Sequence, residues 1–179
     1  MKASRRSALL GLALCAAAAC ARDAAPQPAP EFTHRAAAEW INSAPLTLAA
    51  LRGRVVLLEF WAFECVNCRN SLPWLQDLER AKSAAGLVVI AVHTPELPAE
   101  RSPAGVREAV ARLGIRHAVM LDGDYSYWNA LGNQYWPAFY VIGRDGLLHD
   151  AAIGEMHAGE PRARQLEAVI DAQLRAPAS

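Results

Sequence analysis

The chain has 179 residues, enough for one domain with a sizeable hydrophobic core, and its 18 basic residues balance its 18 acidic ones. No stretch of the chain concentrates positive charge, which excludes the electrostatic footprint of a nucleic-acid-binding protein. No nucleic-acid partner is therefore expected.

The N-terminal segment predicts an export signal over residues 1–20, and hence a periplasmic or cell-envelope location. Basic residues precede the apolar run Ala8–Ala19, which is too short for a bilayer core that requires about 20 helical residues. Ala17-Ala18-Ala19-Cys20 is typical of a bacterial lipoprotein cleavage box, so Cys20 is a candidate for lipidation and for a membrane tether. Ordinary cleavage after Ala21 is the alternative, and the export route, general or twin-arginine, stays open.

Residues 21–31 are rich in Pro and Ala and predict a linker to a domain over residues 32–179. Within that domain, near-continuous apolar runs predict strands that are buried on both faces, as in parallel sheets. Strands are predicted at Leu46–Leu48, Val55–Phe63, Leu87–Val92, Ala118–Leu121, Ala138–Ile142 and Leu147–Ile153. Helices are predicted at about 66–84, 102–113, 125–131 and 162–174, with residues 35–42 helical or irregular. This alternation predicts an α/β sandwich whose mostly parallel sheet carries an antiparallel hairpin at one edge.

Cys65 and Cys68 lie where the clearest predicted strand passes into a helix. A spacing of three residues at a helix start puts both sulfurs on one side of the helix, close enough to form a disulfide. Cys65 would then lie beside unpaired backbone N–H groups at the positive end of the helix dipole, which stabilises a thiolate, the attacking species in disulfide exchange. The pair therefore predicts a thiol–disulfide oxidoreductase in which Cys65 attacks and Cys68 resolves the mixed disulfide.

Two other roles for the cysteine pair are weaker. A zinc site needs four ligands, and the sequence offers neither a second cysteine pair nor a paired-histidine cluster, so no metal site is predicted. A purely structural disulfide remains open, but a loop of four residues constrains the unfolded chain little.

Glu59 interrupts the apolar strand before the cysteines and predicts a buried carboxyl group. A charged, unpaired carboxylate is costly in such a place, so burial is expected to raise its pKa. Near the cysteines, a carboxyl of this kind would accept and return the proton of Cys68 as general base and acid. The alternative is an edge strand from which Glu59 points to solvent.

Trp136-Pro137 directly precedes a predicted strand, a place where proline needs a positional reason. A cis bond there would turn the backbone beside Pro137 towards Cys65, where it could pair with an extended substrate segment. A trans proline that begins the strand is the alternative. We predict Trp136, Pro137 and Trp61 as substrate-binding residues.

The segment 60–68 (Phe-Trp-Ala-Phe-Glu-Cys-Val-Asn-Cys), together with Pro73 and Trp136-Pro137, resembles the thioredoxin superfamily. More narrowly, residues 92–96, 121–125 and 132–138 resemble the exported TlpA/ResA-like thiol–disulfide oxidoreductases, in particular the thioredoxin-like domain of DipZ-type proteins. The resemblance covers about residues 46–157, most of the chain after the predicted signal.

This resemblance implies a thioredoxin fold, with a central mixed sheet flanked by helices, a TlpA-like helix and strand inserted after the active-site βα unit, and a cis bond before Pro137. It also implies a disulfide reductase that acts on protein disulfides and needs no cofactor beyond its own Cys65–Cys68 pair. Ser71 stands where some relatives place an active-site Glu, so that role is missing or falls to Glu59. We expect a separate membrane protein of CcdA/DsbD type to supply electrons, because the sequence does not include the electron-transfer domain of DipZ-type proteins.

Three alternative activities stay open at this point. A copper-binding or metallochaperone protein is one, although copper-binding relatives usually separate their cysteines by three residues and this chain separates them by two. A disulfide oxidant or isomerase is another, since the direction of exchange depends on the reduction potential of the pair. Peroxidase activity is disfavoured because Ala62 stands where the related peroxidases carry Thr.

Overall fold

The computed structural model describes residues 26–177. Its strands are β1 (Gln27–Pro28), β2 (Trp40–Ile41), β3 (Val55–Trp61), β4 (Leu87–His93), β5 (Ala118–Leu121), β6 (Ala138–Ile142) and β7 (Leu147–Ile153). Its α-helices are α1 (Val66–Lys82), α2 (Pro103–Arg112), α3 (Ser126–Leu131) and α4 (Pro161–Arg175). The predicted export signal and Cys20 lie outside the described residues. Between residues 26 and 177, no helix combines the length and apolar character needed to cross a membrane.

All seven strands form one mixed sheet in the order β1-β7-β6-β3-β4-β5-β2. Two strand pairs, β3–β4 and β4–β5, are parallel, and the other four pairs are antiparallel. The mixed sheet agrees with the resemblance, whereas the expectation of a mostly parallel sheet is wrong. The difference arises because β6 pairs antiparallel with β3 as well as with β7. In addition, β1 and β2 pair antiparallel with β7 and β5 at the two opposite edges.

The end of the predicted linker belongs to the fold. Gln27 and Pro28 pair with Leu148 and Leu147 of β7, and the sheet-like bonding continues where the N–H of Ala29 donates to the Gly146 carbonyl at 3.1 Å. The folded domain therefore includes residues 27–29, which lie in the segment predicted as a linker.

The segment between β1 and β3 departs most from the sequence predictions. Trp40–Ile41, expected in a helical or irregular stretch, forms β2 against β5, and Trp40 is buried. Leu46–Leu48, predicted as a strand, is not one. The N–H of Leu48 donates to the side chain of Glu31 at 2.8 Å instead of a strand partner, and a 3₁₀ turn follows it.

The central strand β3 explains why its sequence is apolar almost throughout. All seven of its residues are buried, because helices cover both faces of the sheet. Odd-numbered residues such as Leu57 face α1 and α4, while even-numbered residues such as Phe60 face α3 and the N-terminal segment. The predicted apolar stripe of α1 is confirmed, since Leu72, Leu75 and Leu78 are all buried. After β4 the chain forms helix α2 and then strand β5, which pairs with β4. The resemblance implies an inserted helix and strand at this place in the chain.

Candidate active site

Cys65 and Cys68 form a disulfide at the N-terminus of α1, with their Cα atoms 5.3 Å apart. Cys65 is the N-cap residue of the helix, and its sulfur accepts a hydrogen bond from the backbone N–H of Cys68 at 3.3 Å. After reduction, this N–H group and the positive end of the helix dipole stabilise a thiolate at Cys65. Cys65 is 7 % exposed and Cys68 only 2 % exposed, so the first cysteine is the one that a substrate reaches more easily.

An open groove of about 300 Å³ runs past Cys65. One wall comes from the start of α1 and the other from the loop after β4. The residues that line it are Glu64, Cys65, Val66, Asn67, Glu96, Leu97 and Trp136. Val66 and Leu97 are 58 % and 49 % exposed and lie on opposite walls, so both walls present apolar surface beside Cys65. This groove can hold a polypeptide segment against the cysteine.

The peptide bond between Trp136 and Pro137 is cis, as predicted, and it brings Trp136 to the groove. The indole N–H of Trp136 donates to the Thr94 carbonyl at 2.9 Å, and its ring lies 4.2 Å from that of Trp128. Among residues 26–177, the backbone N–H and carbonyl of Trp136 have no hydrogen-bond partner. Unpaired groups of this kind are the ones with which an added extended chain forms hydrogen bonds.

The other two predicted substrate-binding residues lie behind the groove surface. Trp61 is buried, packs in the same cluster as both cysteines and contacts the His93 ring edge to face at 5.1 Å. Pro137 is also buried, and its carbonyl accepts the N–H of Gly154 at 2.8 Å. The geometry makes them supports for Cys65 and Trp136, and direct substrate contact by either stays a prediction.

Glu59 is buried in the middle of the sheet. It is 2 % exposed, and β3 has a neighbour on each side, so the alternative of an edge strand is wrong. The Oε1 atom of its carboxyl has no hydrogen-bond partner. Burial raises the pKa of Glu59 to about 8, which confirms the predicted direction of the shift.

The sheet register places Glu59 beneath the beginning of α1. It lies on the same face as Leu57 and Trp61, and its strand neighbours are Ala91 and Phe139. Trp61 and Ala91 pack in the cluster that contains both cysteines, whereas Leu57 and Phe139 pack under the later turns of the helix. Glu59 thus lies at the boundary between these two clusters, and proton exchange between its carboxyl and Cys68 stays a prediction.

Ser71 of α1 has a structural role. Its hydroxyl donates to the Asn67 carbonyl at 2.8 Å and accepts the N–H of Met156 at 2.9 Å. These bonds tie the active-site helix to the chain after β7. The hydroxyl of Ser71 therefore has partners on both sides within the protein.

A second buried acid, Asp122, was not singled out from the sequence. Its oxygens accept from the N–H groups of Tyr127 and Trp128, from the side chains of Thr94 and Ser126, and lie 3.1 Å from His34 Nε2. The signal was an Asp-Gly-Asp turn directly before a short helix, which is typical of side-chain capping. Asp122 thus fixes the start of α3, the helix that carries Trp128 to Trp136.

His34, Asp122 and Asp124 form the one group of possible metal ligands in the described part of the chain. Burial lowers the pKa of His34, but hydrogen bonds to Glu39 and Asp122 outweigh that effect and the net pKa is raised. The raised pKa reflects the two neighbouring carboxylates, and Asp122 itself has five hydrogen-bonding neighbours. The contacts of Asp122 and His34 in this structure are thus hydrogen bonds and ion pairs within the protein.

His93 lies behind the active-site loop and not on its rim. It is buried, and its ring stacks on Phe63 with the centroids 5.6 Å apart. Burial lowers the pKa of His93 to about 4, so the ring is neutral at physiological pH. Its role at this place is that of an aromatic support for the turn that precedes Cys65.

The sequence profile of the Redoxin family matches residues 24–170. The chain belongs to the Redoxin family. Among curated relatives of this Redoxin, the protein DipZ of Mycobacterium bovis is 40 % identical over 119 residues, which cover 65 % of this chain and 17 % of DipZ. The thiol-disulfide oxidoreductase YkuV of Bacillus subtilis is 30 % identical over 128 residues, which cover 72 % of this chain and 84 % of YkuV.

Solved structures give the same result for the fold. A putative thiol:disulfide interchange protein DsbE from Chlorobium tepidum superposes with a TM-score of 0.70 at 25 % identity, covering 83 % of this chain and 96 % of that one. The thioredoxin-like fold and the resemblance to DipZ-type proteins are thereby confirmed. This Redoxin therefore combines a thioredoxin-like fold with a Cys-Val-Asn-Cys disulfide at the start of α1.

Proposed function

We propose that this protein is an exported disulfide reductase that acts on proteins of the cell envelope. The observation that carries the proposal is the groove beside Cys65, whose exposed apolar walls and free Trp136 backbone suit an extended polypeptide. The buried Glu59 beneath the pair supports it further, because a reductase must remove a proton from Cys68 in every cycle. Reducing equivalents would come from a separate membrane electron donor of CcdA/DsbD type.

The proposed cycle begins with the reduced pair. The Cys65 thiolate attacks one sulfur of a substrate disulfide, forms a mixed disulfide and releases the other substrate sulfur as a thiolate. Glu59, as the carboxylate, takes the proton of Cys68, whose thiolate then attacks the sulfur of Cys65. This step closes the Cys65–Cys68 disulfide and frees the second substrate sulfur, which takes up the proton. Two electrons have then passed to the substrate, and the membrane donor restores the dithiol.

The direction of exchange is tested by the reduction potential of the Cys65–Cys68 pair, measured by equilibrating the protein with glutathione or dithiothreitol buffers. We expect a value near that of thioredoxin, about −270 mV, because a reductant must hold electrons at low potential. A value near that of DsbA, about −120 mV, would reverse the proposed direction and make the protein an oxidant or isomerase. A folded protein that does not exchange at all would have only a structural disulfide.

Export and membrane attachment are tested through Cys20. If Cys20 is the lipidated residue of the mature protein, wild-type protein collects in the membrane fraction and Cys20→Ser protein moves to the soluble envelope fraction. Cys15→Ser is the matched control, because it changes a cysteine inside the apolar run of the predicted signal and should leave the distribution unchanged. Equal partition of wild type and Cys20→Ser would exclude the lipid anchor, and retention of both in the cytoplasm would exclude export.

Copper binding is a weaker second candidate. Within residues 26–177, the two cysteines do not belong to any cluster of three His, Cys, Asp or Glu ligands. A titration of the reduced protein with Cu(I), compared with Cys68→Ser, separates the two functions. Tight binding that Cys68→Ser abolishes would favour a metallochaperone over a reductase.

A further inference from the structure

Glu100 is a buried acid of the segment between β4 and α2, and it is only 1 % exposed. Its Oε1 accepts the backbone N–H of Glu64 at 2.8 Å. Its Oε2 accepts the backbone N–H groups of Glu96 and Leu97 at 2.8 and 2.7 Å. One carboxylate therefore joins two pieces of backbone that are more than 30 residues apart in sequence.

The two joined pieces are the two walls of the substrate groove. Glu64 directly precedes Cys65, so the bond to Oε1 holds the loop that presents the attacking sulfur. Glu96 and Leu97 form the opposite wall, and Leu97 is one of its exposed apolar side chains. The carboxylate of Glu100 thus bonds to the backbone of both walls of the groove next to Cys65.

Capping of a 3₁₀ turn explains only half of this arrangement. Glu100 is the third residue of the turn Pro98–Arg101, and its bond to Leu97 is the return bond of a capping box. The bond from Glu100 to the N–H of Glu64 is not part of this cap. That second bond connects the turn to the active-site loop, and it uses a buried charge to do so.

We propose that Glu100 is a positioning residue for disulfide exchange, which holds the Glu96–Leu97 wall at a fixed place relative to Cys65 and thereby determines the affinity for a polypeptide substrate. The inference rests on the exchange of protein disulfides described under Proposed function, but not on its direction. Loss of Glu100 should therefore affect the reduction of a polypeptide disulfide more than that of a small disulfide. A polypeptide must contact both walls, whereas a small disulfide needs only the sulfur of Cys65.

The test compares Glu100→Gln with wild type on insulin, with dithiothreitol as electron donor, and on the small disulfide DTNB. The amide of Gln can accept on one side only, and its NH₂ group faces backbone donors on the other. We expect KM for insulin to rise about tenfold, because the Glu96–Leu97 wall is no longer held beside Cys65. We expect kcat and the DTNB rate to stay within about twofold of wild type. Glu108→Gln, which changes an exposed acid on α2, is the matched control and should alter neither substrate.

Parallel losses on insulin and DTNB, or an unchanged KM for insulin, would overturn the proposal and leave Glu100 a structural cap. If Glu100→Gln does not fold, Glu100→Asp decides by the same criteria, because it keeps the charge but is one methylene too short to span both walls. If wild type does not turn over insulin, the proposed function fails. Amide hydrogen exchange measured by NMR then tests whether Glu100 joins the two walls. Loss of protection at the N–H groups of both Glu64 and Leu97 in the variant supports the proposal. Loss at Leu97 alone contradicts it.

Discussion

Replacing Cys65 with serine is expected to reduce insulin turnover to the uncatalysed background, whereas Cys68→Ser is expected to accumulate a stable mixed disulfide. The difference follows from the structure, because Cys65 lies on the groove and caps α1, while Cys68 is covered and can reach only Cys65. Without Cys68, nothing in the site attacks the Cys65–substrate bond. Insulin reduction measures the first effect, and mass spectrometry of a trapped adduct with an oxidised peptide measures the second.

Cys20→Ser serves as the control for these two variants, since it makes the same chemical change outside the described domain. It should exchange disulfides at the wild-type rate. An adduct that forms on Cys65→Ser and not on Cys68→Ser would reverse the assigned roles. Activity that survives in both variants would mean that the chemistry is carried out elsewhere.

Glu59→Gln is expected to stabilise the oxidised protein by about 3 kcal/mol at pH 7, a large effect for one substitution. The folded state holds the Glu59 carboxyl at a pKa of about 8, against 4.5 as its ordinary value. Below the lower value both states are protonated and the folded protein carries no penalty. As the pH rises towards 8, the unfolded chain ionises and the folded one does not, so stability is lost at about 1.4 kcal/mol per pH unit. Above 8 both states ionise and the loss ends.

Urea unfolding of wild type and Glu59→Gln near pH 4, 6, 7 and 8.5 measures this prediction. The disulfide form is used because its cysteines do not titrate. The stability difference between the two proteins should be small at the lowest pH and grow as the pH rises. Glu108→Gln, an exposed acid, should show no such trend. A difference between Glu59→Gln and wild type that is independent of pH would refute the raised pKa.

The same substitution is expected to slow turnover. The side-chain amide that Glu59→Gln introduces cannot take the proton of Cys68, and general base catalysis of this kind contributes on the order of a hundredfold. Release of substrate from the mixed disulfide should therefore become the slow step, with little change in the first attack by Cys65. A more stable but slower enzyme would show that the buried carboxyl is kept for its chemistry although it lowers stability.

The features that depend on residues close together in the sequence were predicted correctly. A strand was predicted over Val55–Phe63 from its almost continuous apolar character, and Glu59 stood out as its one charged residue. The observed strand is two residues shorter and ends at Trp61. The start of α1 and the cysteine pair followed from spacing. The cis bond before Pro137 followed from the resemblance, since residue types alone left a trans bond open.

Other features were set by partners far away in sequence. Trp40–Ile41 is a strand only because β5 lies beside it, and two residues carry no periodic pattern. Leu46–Leu48 has the composition of a strand, but Glu31 takes the backbone N–H of Leu48. The bond between Glu100 and Glu64 could not be predicted, because it spans more than 30 residues. The nearest local sign was Pro98 at the first position of a turn with Glu100 at the third.

The two short N-terminal strands have a consequence for how this protein meets other chains. An open sheet edge offers unpaired backbone groups to any extended polypeptide and invites aggregation. Here β1 and β2 form the outermost strands, each is two residues long, and Pro28 has no N–H to donate. These two outermost strands themselves therefore offer few backbone groups to another chain, and we expect a substrate polypeptide to pair with the backbone of Trp136 beside Cys65 instead.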